Sequence, residues 1–103
     1  MGCPHIYYIR ALQCLAHALA YDTSVKLARE LVKETNQQKL EKYILSRKEE
    51  LSEKEFYYAA GGATQCVIEE ADNEGTDSLN ASISGITEFG NFIGLEELVV
   101  CNG

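Results

Sequence analysis

Two pairs of soft metal ligands stand near the start of the chain, Cys3-x-His5 and Cys14-x-x-His17. Thiolate and imidazole are the donors of structural zinc sites. Both pairs fall in a stretch of helical periodicity, and on one continuous helix residues 5 and 14 stand about 13 Å apart. A single ion cannot hold both pairs, so the expected state is a buried thiol and a surface imidazole. No metal and no cofactor is expected. The chain has no other histidine, and no nucleophile elbow, metalloprotease or nucleotide-binding signature appears. No residue is therefore assigned a catalytic role, and the chain is read as a non-enzyme.

Carboxylates are the other reactive groups with a pattern. Glu69, Glu70, Asp72, Glu74 and Asp77 crowd into one short segment. Adjacent acids such as Glu69–Glu70 and Glu96–Glu97 do not point together on a helix, so an acid–base pair would have to be assembled by folding. The stretch "EADNEGTDSLNA", from Glu70 to Ala81, resembles the calcium loop of helix–loop–helix proteins. Gly75 then falls at the turn, and Asp72 and Glu74 at the third and fifth ligand positions. Glu70 stands where that loop has Asp, and Ala81 where it has its bidentate Glu, so the loop lacks its strongest ligand.

The charge balance gives these acids a context. Residues 1–58 hold all nine Lys and Arg against eight acids, a net of +1. Residues 59–103 hold eight acids and no Lys or Arg, a net of −8. The surplus thus belongs to the C-terminal part. Glu69, Glu70, Asp72 and Glu74 also sit near a predicted helix C-terminus, where the dipole disfavours negative charge. The bland account is a solvated turn. The sharper one is retention for binding a cation or a basic partner, to which opposite charge would steer the chain.

The elements that must position these residues are read from periodicity and caps. Pro4 suits a helix first turn. Ile6, Ile9, Leu12, Ala16 and Leu19 recur on one face, with Arg10, Gln13 and His17 opposite, predicting a helix over about 4–21. Asp22, Thr23 and Ser24 cap a second helix with Leu27, Ala28, Leu31 and Val32 inward. "ETNQQ" is a polar break before a third, carried by Leu40, Tyr43, Ile44 and Leu51. Ser52 and Glu55 form a capping box, with Leu51 and Phe56 as its hydrophobic staple. That fourth helix should run to about Asp72, with Gly75 as its stop.

Its centre is unusual. Ala59-Ala60-Gly61-Gly62-Ala63 places two glycines where each costs roughly 1 kcal/mol relative to Ala. Gly61 and Gly62 are expected to mark close helix packing, for instance against the first helix. Contact of a ligand or partner with bare backbone, and a break between two shorter helices, are the alternatives. Beyond Gly75, Asp77 could cap a helix through Leu79, Ile83 and Ile86, while Gly85, Gly90 and Gly94 argue against a long one. "GLEELVVCNG" fits a last helical turn or a short strand.

The 103 residues, 46% hydrophobic and 24% charged, suit one globular domain and exclude a disordered chain. The expected fold is all-α, a compact bundle of four to five short helices, with a C-terminal strand pair as the α+β alternative. No apolar run approaches the roughly 20 residues of a membrane span. "RALQCLAHALAY" is interrupted by Gln13 and His17, unlike a signal segment, and "MGC" lacks the Ser or Thr at position 6 of a myristoylation start. A cytoplasmic location with reduced thiols is expected. Net charge disfavours direct nucleic-acid binding. The first functional expectation is a small acidic module that engages a basic protein surface through Glu69, Glu70, Asp72, Glu74, Asp77 and Tyr57. Such a module could act as a nucleic-acid mimic or a phage-type inhibitor of a nucleic-acid-binding enzyme. The alternatives are a small carboxylate-dependent enzyme or enzyme subunit, and a regulatory or structural homodimer.

Overall fold

The first helix is the one whose polar residues break its apolar face, and this decides the architecture. In the computed structural model, which describes residues 5–21, 23–70 and 75–94 (side chains of residues 5 and 76 excepted), helix α1 spans His5–Tyr21. Ala11, Leu12, Cys14, Leu15, Ala16, Leu19 and Ala20 are all buried. Burial on so many sides marks a central helix, not a surface helix with one inward stripe. Arg10, Gln13 and His17 are accordingly only half-exposed, and each is tied to another element. Arg10 Nη1 donates to Ser78 Oγ at 3.1 Å. Gln13 Nε2 donates to the Glu34 carbonyl at 2.6 Å. His17 Nδ1 lies 3.0 Å from the Ala28 carbonyl, which can only accept, so that nitrogen carries the proton. Ile6, expected inward, is exposed because it lies near the helix start, beyond the reach of the core.

The remaining helices surround α1. Ser24 caps α2, Val25–Leu31, accepting from the Leu27 amide. The polar segment that follows is a true break: Asn36 accepts from the Lys39 amide and starts α3, Gln37–Glu50. Leu40 and Ile44 of α3 are fully buried. Ser52 and Glu55 exchange both hydrogen bonds of the capping box at the head of α4, Glu53–Ala60. Phe56 is buried, and Leu51 packs at the margin of the same core.

α5, Gly62–Glu70, continues this run after a single interrupted residue. Gly61 itself is helical in conformation, with φ −59° and ψ −27°, and its N–H still reaches the Tyr57 carbonyl. The expected fourth helix therefore exists as two segments of one run. The last described element, α6, spans Thr76–Phe92. It passes through Gly85 and Gly90, which are both buried. Their propensity cost is outweighed by the packing of Ser82, Ile86 and Phe89 against the core. Gly75, at φ +97°, precedes the helix without a side-chain cap. Asp77 is thus a first-turn residue and not the cap the sequence suggested.

One core unites all of this. Ile9, Leu12, Leu15 and Leu19 of α1 meet Leu40, Ile44, Phe56, Ala63, Val67, Ile86 and Phe89. The fold is an all-α bundle, with no strand among the described residues. The possible C-terminal strand pair falls beyond Gly94, outside them. Among the described residues no helix is long and apolar enough to cross a membrane.

Candidate functional site

The small-residue turn opens one side of a groove between α1 and the α4–α5 run. Its lining includes His17 and Tyr21 from α1, Tyr58 from α4, and Gly62, Gln65 and Glu69 from α5, around about 640 Å³. A Cβ placed on Gly62 would meet the Ala18 Cβ at 3.5 Å, ordinary van der Waals contact. A Cβ on Gly61 would meet only the carbonyls of Tyr58 and Tyr57, at 3.4 and 3.6 Å. Neither glycine is demanded by its backbone angles or by a clash across the helix crossing. Gly62 does face the first helix, as expected, but with room for a methyl group. Both glycines are exposed.

Tyr58 dominates the rim at 86% exposure. It also borders a second groove of about 400 Å³ with Leu19, Arg47 and Leu51. Tyr57, the member of the doublet named from sequence, is half-buried and packed against the core. The register could have shown this. Once the capping box and staple turn Phe56 inward, Tyr58 stands about 200° around the helix from it, whereas Tyr57 stands at the boundary. Tyr21, also largely exposed, tilts against the His17 ring at 5.7 Å between centroids.

Acidic residues end the same run and recur on the next helix. Glu69 and Glu70 form the last turn of α5, and Asp77 lies in the first turn of α6. All three are exposed, as is Glu88 further along α6. Glu69 accepts from Gln65 Nε2 at 3.4 Å. Asp72 and Glu74 lie outside the described residues, as do the other residues of the calcium-like turn over 71–74. Its Ala81 position is in α6, well inside the helix. Helices α5 and α6 carry no Lys or Arg. Arg10 of α1 reaches Ser78 of α6 and lies over the Tyr7 ring. The acids at the end of α5 sit where the dipole disfavours them, whereas Asp77 sits where it is favoured.

The Cys14 and His17 pair does not converge. His17 is committed to the Ala28 carbonyl. Cys14 is fully buried and faces Cys66 of α5, which is also buried and free of disulfide. Cys3 and the His5 side chain lie outside the described residues. Among the described residues no three His, Cys, Asp or Glu side chains gather to hold a metal.

No protein family matches this chain, and neither a curated protein nor a solved structure shows significant similarity to it.

Proposed function

We propose that this chain is a non-enzymatic binding module that captures a basic protein surface along α5, the start of α6 and the Tyr58 groove. The observation that carries this reading is the one-sided charge. Glu69, Glu70, Asp77 and Glu88 are exposed on two helices that hold no Lys or Arg. The groove beside them supplies what a cationic side chain needs on close approach. Its lining has two exposed tyrosine rings, for cation–π contact with Arg or Lys, and the Glu69 carboxylate, with no competing cation. Long-range attraction would bring such a partner in, and the aromatic rim would hold it. A nucleic-acid-binding protein is one partner with a surface of this chemistry.

A fluorescent arginine-rich peptide serves as the probe, titrated at low and at physiological salt. Glu69→Gln, Glu70→Gln and Asp77→Asn together should weaken binding severalfold at low salt and flatten its salt dependence. Tyr58→Ala should weaken it at both salt concentrations. The control neutralises Glu41, Glu49 and Glu50 on α3, the same number of acids elsewhere. An equal loss in the control would reduce the effect to net charge and remove this site.

A further inference from the structure

We propose that Cys14 and Cys66 form a reversible redox pair, closing to a disulfide that staples α1 to α5. The proposal is independent of the binding function above. It starts from the register of the two helices. Ala18 on α1 opposes Gly62 on α5. One turn back along α1 is Cys14, and one turn forward along α5 is Cys66. Leu19, one residue further along α1, lines a groove with Tyr58 and Ala59, which precede Gly62, so the helices run antiparallel here and the thiols fall at the next rung after the alanine–glycine rung. Both thiols are buried in the same core, and the neighbouring Cys66 thiol is the first cause that raises the Cys14 pKa.

Small residues at the neighbouring rung are what such a staple needs. Helices packed through large side chains hold their axes about 8–10 Å apart. A disulfide requires Cα atoms within about 4.4–6.8 Å. The Ala18–Gly62 rung carries no side chain larger than a methyl group, which suits a close seam at the thiols.

The two thiols differ in access, which orders the chemistry. Cys66 lines the groove and keeps 7% of its surface exposed, whereas Cys14 has none. A low-molecular-weight disulfide, RSSR, entering the groove meets Cys66 first. The Cys66 sulfur attacks one sulfur of RSSR, the S–S bond breaks, and one RSH leaves with the Cys66 proton. Cys14 then attacks the Cys66 sulfur of the mixed disulfide, and a second RSH leaves with the Cys14 proton. Two electrons pass from the protein thiols to RSSR, giving one protein disulfide and two RSH. Contact with Cys66 and burial hold the Cys14 proton firmly in the reduced pair, so Cys14 does not initiate. Once Cys66 is tied up in the mixed disulfide its part of that hold is released, and Cys14 can give up its proton and attack.

The test uses the full chain with Cys3→Ser and Cys101→Ser, folded and equilibrated in glutathione buffers of rising oxidised fraction. The expected product loses both thiols together and stays a single chain in size. Tryptic peptides 11–26 and 55–103 should be joined, the thermal midpoint should rise, and dithiothreitol should reverse all of it. Adding Cys14→Ser should leave a persistent glutathione adduct on Cys66. Adding Cys66→Ser should leave Cys14 unmodified until the chain is unfolded. Two free thiols in fully oxidised glutathione, a link formed only in denaturant, or a link only between chains would each overturn the proposal. So would a Cys66 adduct that Cys14 never resolves.

Discussion

At the scale of single residues, Cys14 ties packing to pH. Contact with Cys66 and burial push its thiol well above the ordinary 9.0. Below that value both the folded and unfolded chains keep the proton, and its contribution to stability is constant. Above it the unfolded chain releases the proton and the folded chain does not. Stability should then fall with rising pH, by up to about 1.4 kcal/mol per pH unit for this one group. Denaturant titrations under reducing conditions between about pH 8 and 10 measure that slope. Cys14→Ala should be less stable near neutrality but visibly flatter over this range. Parallel slopes would show that the thiol does not govern alkaline unfolding. The same scale explains why Tyr58 is exposed and Tyr57 half-buried: one residue of register separates the core margin from solvent.

At the scale of elements, the α4–α5 run is helical through its two weakest residues. The capping box secures its start, and Phe56, Ala60, Ala63 and Val67 bury one face across the interruption. Packing thus holds the glycines in helical conformation against their propensity. Because Gly61 has helical angles and room for a Cβ, Gly61→Ala should stabilise the fold by about 0.5–1 kcal/mol. A urea titration reads this as a higher midpoint with an unchanged slope. A lower midpoint would mean that the interruption at Gly61 is a structural requirement of the crossing. Helix α6 makes the same point at larger size, since it carries two glycines through 17 residues. Local propensity argued for a shorter helix. The apolar face toward α1 prevailed.

At the scale of the whole molecule, everything is built on α1. Helices α2 to α6 all pack on it, and the radius of gyration of 12.2 Å is close to the roughly 13 Å of a compact domain of this size. A void in α1 is therefore shared by the entire fold. Leu15 is fully exposed to packing and not to water. Leu15→Ala should cost about 2–5 kcal/mol, a large part of the 5–15 kcal/mol typical of a domain. Calorimetry should show a much lower, broader transition, and a change of only a degree or two would contradict the central placement of α1. Charge is also distributed at this scale. The bases lie mostly on α2 and α3, where Lys39 pairs with Glu34 of the preceding loop and Arg47 with Glu50. The exposed acids of α5 and α6 stand on helices that hold no Lys or Arg.

What the sequence alone determined is local or additive. Caps at Ser24, Asn36 and Ser52 act within one helical turn, and apolar periodicity acts within one helix, so helix starts and the all-α class were legible. Asn36 lies in the polar break, and its side chain is of the kind that caps. Net charge is a sum, so the acidic surplus after residue 58 needed no fold to be seen. Tertiary structure decided what depends on crossings. It enclosed α1, turned the Arg10, Gln13 and His17 stripe into ties to α6, the α2–α3 loop and α2, kept α6 long, and set Cys14 against Cys66. The reason is that a residue's neighbours across a helix interface follow from crossing angle and register. Those are fixed by all the packed side chains together, and no single stretch of sequence contains them.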